Sequence, residues 1–99
     1  MAPSIERFSE IARDGFLRAL PNPNLVICQP TSNSAVYVEF ESNSAIGRLI
    51  YWEQGTAFCE ILEITSGDQR FARHYAIESE AELLGALRDF QTEAVKCLG

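Results

Sequence analysis

The sequence predicts an α+β two-layer sandwich, in which N-terminal and C-terminal helices bracket an antiparallel meander sheet of four or five strands. Apolar residues recur at helical spacing near both ends of the chain, and in the middle they alternate with polar residues. Short turn motifs separate the alternating segments. The 99 residues, 46% of them hydrophobic, suffice for one small core, so we expect residues 1–99 to form a single domain.

The first predicted element is an amphipathic helix. Ser4 suits its N-cap, the PNPN segment at residues 21–24 forbids its continuation, and Gly15 is its weak point. An apolar run at residues 25–29, bounded by prolines and by the TSNS loop, predicts a short edge strand after the helix. The helix face that we expect to be buried carries Ile5, Phe8, Ile11, Ala12, Phe16 and Ala19.

The clearest strand begins at Ala35, where the hydrophobic period changes to two. One face of this strand is apolar and the other carries an aromatic side chain and two carboxylates. The two sets are Val36, Val38 and Phe40 on the apolar face, and Tyr37, Glu39 and Glu41 on the other.

Three further strands follow at regular spacing. Residues 46–53 and 57–64 read as a hairpin closed by a turn at Gln54 and Gly55. A second turn, TSGD at residues 65–68, leads into a strand at residues 70–77 that is rich in aromatic residues.

The last predicted element is a second amphipathic helix that runs almost to the last residue. Ser79 and Glu82 form a capping box at its start. If both helices cover the same face of the sheet, the other face is left open to solvent. The apolar stripe of this helix carries Leu83, Leu87, Phe90, Ala94 and Leu98.

The charge of the chain restricts its partners. The formal net charge is −6, which disfavours nucleic acid and anionic membranes as partners. The N-terminal segment lacks a signal-peptide core or membrane span, and three widely spaced cysteines, Cys28, Cys59 and Cys97, fit a reducing compartment. We therefore expect a protein of the bacterial cytoplasm.

The acidic residues are concentrated in the predicted sheet. Residues 34–69 hold Arg48 against six acidic side chains, a balance of −5, whereas the flanking thirds are near neutral. Carboxylates beside outward aromatics such as Tyr37 would suit a protein-binding surface, and they would equally suit a solvated sheet face. The facing of Trp52 is open, because both alternations of its strand carry apolar side chains.

Catalytic constellations are scarce in this sequence. Cys59 and His74, on neighbouring predicted strands, are the one pair that could form a thiol–imidazole site. Glu39 and Glu41 point to the same side of their strand, and no residue that could act with them as a general acid is recognisable. The sequence also holds neither zinc-ligand spacing nor a phosphate-binding glycine motif. We therefore predict no catalytic residue, no cofactor and no metal, and a core position for Cys59.

A resemblance to a known family covers residues 46–90. This stretch resembles the TriTu-type bacterial immunity proteins in its glycine–arginine strand, Trp-Glu-x-Gly turn, glycine-containing second turn, His-Tyr pair and Ser-capped helix. The first 33 residues carry no motif that aligns with this pattern. The matching residues are Gly47, Arg48, Trp52, Glu53, Gly55, Ser66, Gly67, His74, Tyr75, Ser79, Leu83, Leu87 and Phe90.

The resemblance implies that the protein is an antitoxin without catalytic activity. Its partner would be the TreTu-type domain of an Rhs effector of type VI secretion, an ADP-ribosyltransferase that uses NAD to modify elongation factor Tu. Binding would obstruct the active site of that toxin, because a groove that holds the NAD pyrophosphate must be cationic and a carboxylate-bearing sheet complements it. The candidate contact residues are Tyr37, Glu39, Glu41, Arg48, Trp52, Glu53 and Glu60.

Three alternatives remain open from the sequence. Trp52 and Gly55 could be required for folding instead, with the indole in the core and the glycine in its turn, and for Trp52 we favour this alternative. A small acidic protein of this kind could also be a secretion chaperone or adaptor that holds an effector ready for export. A thiol-dependent enzyme that uses Cys59 and His74 is a third alternative.

Overall fold

The computed structural model describes residues 2–28 and 34–98, and within these ranges it describes every side chain except those of Ala19 and Leu98. Gln29 of the predicted first strand and most of the TSNS loop lie outside these residues. The architecture is α+β, as predicted. The elements are α1 (Ile5–Gly15), a short 3-10 helix (Leu17–Ala19), β1 (Asn24–Cys28), β2 (Ala35–Glu41), β3 (Ala45–Trp52), β4 (Thr56–Glu63), β5 (Gln69–Ala76) and α2 (Glu80–Leu98).

The five strands form one sheet in the order β1-β2-β3-β4-β5, and every neighbouring pair is antiparallel. The predicted meander is therefore confirmed, with five strands. Each of β3, β4 and β5 begins and ends one residue earlier than the sequence indicated, and β1 also begins one residue earlier. At the end of β5, Ile77 is buried and donates its N–H to the carbonyl of Gly55 at 2.7 Å, outside the β4–β5 ladder.

Helix α1 is shorter than predicted. The Oγ of Ser4 accepts a hydrogen bond from the backbone N–H of Arg7 at 3.1 Å, which confirms the N-cap. The expectation that the helix would continue to PNPN is wrong, because it ends at Gly15 and tightens into the 3-10 turn Leu17–Ala19. Glycine lowers helix propensity, and the approaching prolines leave room for only one further turn.

Helix α2 begins with the predicted capping box. The N–H of Glu82 donates to the Oγ of Ser79 at 3.4 Å, and the Glu82 carboxylate accepts from the N–H of Glu78 at 2.9 Å. Among the residues described, no helix is long and apolar enough to cross a membrane. The buried residues of α2 are Leu83, Ala86, Leu87, Phe90 and Ala94.

Both helices lie on the same side of the sheet, so the core occupies the space between the two layers. Phe8 of α1 stacks on Tyr51 of β3 with ring centroids 5.5 Å apart, and Phe90 of α2 packs on Phe40 of β2 at 5.6 Å. A Cβ at Gly47 would overlap the Phe40 ring. The buried hydrophobic sheet residues facing the helices are Val36, Val38, Phe40, Ala45, Leu49, Tyr51, Ala57, Cys59 and Ile61.

Candidate functional site

The surface that the fold leaves uncovered is the side of the sheet opposite the helices, which we call the open face. Strand register groups its side chains into rows that run across the strands. We call Val26, Tyr37, Ile50, Phe58 and His74 the apolar row, since they are directly paired from β1 to β5. The neighbouring polar row consists of Asn24, Glu39, Arg48 and Glu60.

Hydrogen bonds within the chain hold the charged side chains of the polar row. Glu39 accepts from Arg48 at 3.1 Å and from the amide of Asn24 at 3.3 Å. The Arg48 guanidinium lies over the Tyr37 ring, with Cζ 4.6 Å from the ring centroid. Glu60 accepts from the Gln69 amide at 2.6 Å. A partner therefore meets charges whose positions are already set.

Six of the seven candidate residues lie on the open face, and these are Tyr37, Glu39, Glu41, Arg48, Trp52 and Glu60. Glu53 lies in the exposed turn between β3 and β4, and its N–H donates to the carbonyl of Ser34 at 2.9 Å. The fold thus brings all but one of them to a single surface.

Trp52 is partly exposed on the open face, so the alternative that its indole fills the core is wrong. Pairing of β3 with β2 turns Tyr51 towards the helices instead, opposite the buried Val36. The folding role suggested for Gly55 agrees with its geometry. Its φ is +108°, and a Cβ there would come 2.8 Å from the carbonyl oxygen of Ile77.

The acidic residues of the middle third are more scattered than the sequence suggested. On β2 to β4, the open face carries the carboxylates of Glu39, Glu41 and Glu60 against Arg48, a formal balance of −2. Glu63, at the end of β4, is instead bonded to Ser66 and Arg70, and these hydrogen bonds lower the pKa of its carboxyl. Only part of the negative charge therefore belongs to the open face.

Sequence reasoning missed the apolar part of the open face. Val26, Ile50 and Phe58 are each partly buried, and the imidazole of His74 packs on the Phe58 ring with centroids 4.5 Å apart. Outward positions of a solvated antiparallel strand are normally polar. The signal was present in β3 and β4, because both strands carry apolar residues at both alternations.

The open face has shallow depressions rather than a deep pocket. One of about 240 Å³ is bordered by Glu39, Arg48 and Glu60. A second, of about 110 Å³, lies beside Ile50 and Phe58. A third, of about 370 Å³, is bordered by Asn24, Glu39 and Glu41. All three are partly open to solvent, whereas sites for small molecules are typically enclosed clefts that bury most of the ligand. A broad face with mixed apolar and charged side chains suits a protein partner better than a small ligand.

Cys59 and His74 do not form a site. Cys59 is paired with Arg73 and faces the helices, whereas His74 is paired with Phe58 and faces the opposite side of the sheet. Burial raises the pKa of the Cys59 thiol to about 12, and the nearby Asp89 carboxylate adds to the shift. The core position predicted for Cys59 is confirmed. Residues 2–28 and 34–98 also contain no cluster of side chains suited to a metal ion.

Most of the chain matches a known protein family. The family model described as Immunity protein TriTu matches residues 5–93. This range includes α1 and all five strands, so it extends well beyond the motifs at residues 46–90. No curated protein matches the chain.

Proposed function

The chain belongs to the family of TriTu immunity proteins, and from this premise we propose that it binds the ADP-ribosyltransferase domain of a cognate Rhs toxin and obstructs its active site. The toxin is the C-terminal domain of an effector delivered by type VI secretion. Its target is elongation factor Tu, which it modifies with NAD. Complex formation in the bacterial cytoplasm leaves elongation factor Tu unmodified and translation active.

The observation that supports this proposal is the composition of the open face. A groove that binds NAD must offer cationic and hydrogen-bonding groups to the pyrophosphate. Glu39 and Glu60 present carboxylates whose positions are set by Arg48 and Gln69. Such carboxylates complement a cationic groove and speed the encounter with it.

Obstruction requires no chemistry from this chain. The toxin is inactive for as long as the open face covers the entrance to its NAD site, so protection depends on slow dissociation. The remaining candidate contacts, Tyr37, Glu41, Trp52 and Glu53, border the polar row or lie at the ends of β2 and β3. Glu41, Trp52 and Glu53 would close the edge of the interface against water.

Co-expression tests the immunity role directly. Cells that produce the isolated toxin domain should stop growing, and cells that also produce this chain should grow with unmodified elongation factor Tu. A secretion chaperone would instead improve effector export without protecting these cells. Absence of protection by a well-folded, abundant chain would refute the proposal.

Charge reversal tests the surface. Glu39→Lys together with Glu60→Lys should weaken toxin binding, because two carboxylates that face the cationic groove become repulsive. Asp14→Lys is a suitable control, since this exposed residue lies on α1 in the helix layer, away from the open face. Equal binding by the double variant and the control at low salt would remove the polar row from the interface.

A further inference from the structure

The apolar row is a second feature of the open face, separate from its acidic residues. Val26, Tyr37, Ile50, Phe58 and His74 lie side by side across all five strands on the face without helices. Four gaps between adjacent strands, at about 4.8 Å each, make this row roughly 19 Å long. Contiguous apolar surface of this kind on a soluble chain commonly marks a binding site.

Apolar side chains also continue beyond the row. Ile46 is 39% exposed on β3, opposite Leu62 of β4, and Trp52 is partly exposed at the other end of β3. Cross-strand contacts among these side chains stabilise the sheet to some extent. Solvated strands achieve similar stability with threonine and charged pairs, so sheet stability alone does not require this composition.

The charged residues nearby are poorly placed to supply most of the affinity. Arg48 and Glu39 already neutralise each other, and Glu60 already accepts a hydrogen bond from Gln69. A partner must compete with these bonds, and it gains only the difference. Partly exposed ion pairs of this type contribute more to association rate and specificity than to affinity.

We infer that the apolar row is the anchor of the toxin interface, and that the toxin presents to it an apolar patch rimmed by basic side chains. This inference rests on the proposed function and extends it to residues that the acidic pattern does not include. Aromatic and aliphatic anchors at the centre of an interface carry most of its binding energy. The polar row beside the anchor, with two carboxylates and one guanidinium, selects a partner of opposite charge.

A second copy of this chain is a poorer occupant of the open face. Each copy would bring the same excess of carboxylates, Glu39, Glu41 and Glu60 against Arg48, to the contact. Like charges brought together in an interface oppose association. The charge balance therefore favours a basic partner over self-association.

The test compares row variants with a matched control in binding to the purified toxin domain. Ile50→Thr and Phe58→Thr remove apolar surface while keeping a residue of high strand propensity. Val95→Thr makes a similar change at a side chain that is 55% exposed on α2. We expect each row variant to dissociate on the order of tenfold faster or more, as hot-spot residues do, and Val95→Thr to dissociate like the wild type.

Melting temperatures of the free variants separate lost contacts from lost folding. A second measurement uses the wild-type sequence, in which the single histidine, His74, belongs to the row and is labelled with carbon-13. Relaxation of its ring protons by a soluble paramagnetic agent should disappear in the complex, because the toxin then covers the row. Folded row variants with wild-type dissociation rates, or an imidazole that stays equally exposed, would overturn the inference. If the wild-type chain itself does not bind the toxin, the proposed function fails instead.

Discussion

Replacing Gly55 with alanine should destabilise the fold more than the same change at any other turn glycine that the structure describes. Gly55 closes the turn from β3 to β4 with φ +108°, a conformation that side chains with a Cβ rarely adopt. The added Cβ would also lie 2.8 Å from the carbonyl oxygen of Ile77, which is backbone and cannot rotate away.

The expected cost has three parts. Backbone strain at such a φ costs about 1–2 kcal/mol. Relief of the contact with Ile77 shifts backbone, and this shift weakens the hydrogen bond from the Ile77 N–H to the Gly55 carbonyl, at 2.7 Å, which contributes about 1 kcal/mol. Together with residual crowding, we expect a loss of about 2–4 kcal/mol. For a domain of this size, that lowers the melting temperature by roughly 10–30 °C.

Two other glycines serve as controls. Gly67 also has a positive φ, +75°, but a Cβ there meets nothing within 4 Å, so Gly67→Ala should cost only about 1 kcal/mol. Gly85 lies within α2 with similar open space, so Gly85→Ala should stabilise the protein by about 0.5–1 kcal/mol.

Thermal and urea unfolding, followed by circular dichroism, measure all three variants. The reasoning fails if Gly55→Ala and Gly67→Ala lose equal stability, because the contact with Ile77 is the difference between them. It also fails if Gly85→Ala is destabilising, since that would place an unrecognised contact at the helix surface.

Three further predictions concern buried and paired groups. Burial raises the pKa of the Cys59 thiol to about 12, so Cys59 should resist iodoacetamide in the folded protein near pH 8. The exposed Cys28 should react under the same conditions, and mass spectrometry of the labelled peptides would show the difference. Tyr51→Phe keeps the ring but removes its hydrogen bond to the Pro3 carbonyl, so it should lower the free energy of unfolding by about 1 kcal/mol, and an unchanged urea midpoint would contradict this. Hydrogen bonds from Ser66 and Arg70 lower the pKa of the Glu63 carboxyl in the folded protein. The ionised carboxylate therefore contributes its full stabilisation at pH values above the pKa of the unfolded chain, near 4.5. This stabilisation is lost as the pH falls through the lower pKa of the folded protein. Glu63→Gln should therefore lose less stability on acidification than the wild type, and identical acid unfolding curves would exclude this contribution.

Alternation predicted the facing of residues only where a strand has one polar side. In β2 the buried Val36, Val38 and Phe40 alternate strictly with polar or aromatic residues, and their facing was correct from sequence. In β3 both alternations are apolar, so the facing of Trp52 could not be read from its own strand. Pairing with β2 determines it, because the apolar side of β2 must lie against the helices.

The apolar row was missed because it exists only after the register of five strands is known. Ile50 and Phe58 are separated along the chain by the turn at Gly55, and a shift of one residue in either strand would send one of them to the core. The same rule separates Cys59 from His74. Their spacing allowed a pair on neighbouring strands, whereas the register places them on opposite sides of the sheet.

Because α2 follows every strand in the chain, the sheet is synthesised before the helix that covers β4. Each hairpin can close locally as it leaves the ribosome, since all strand neighbours are consecutive. Until α2 packs on the sheet with Leu83, Leu87 and Phe90, the apolar side of β4 is exposed to water. In that state it can associate with other nascent chains. A chain that ends before α2 should therefore aggregate and not act as a shorter immunity protein.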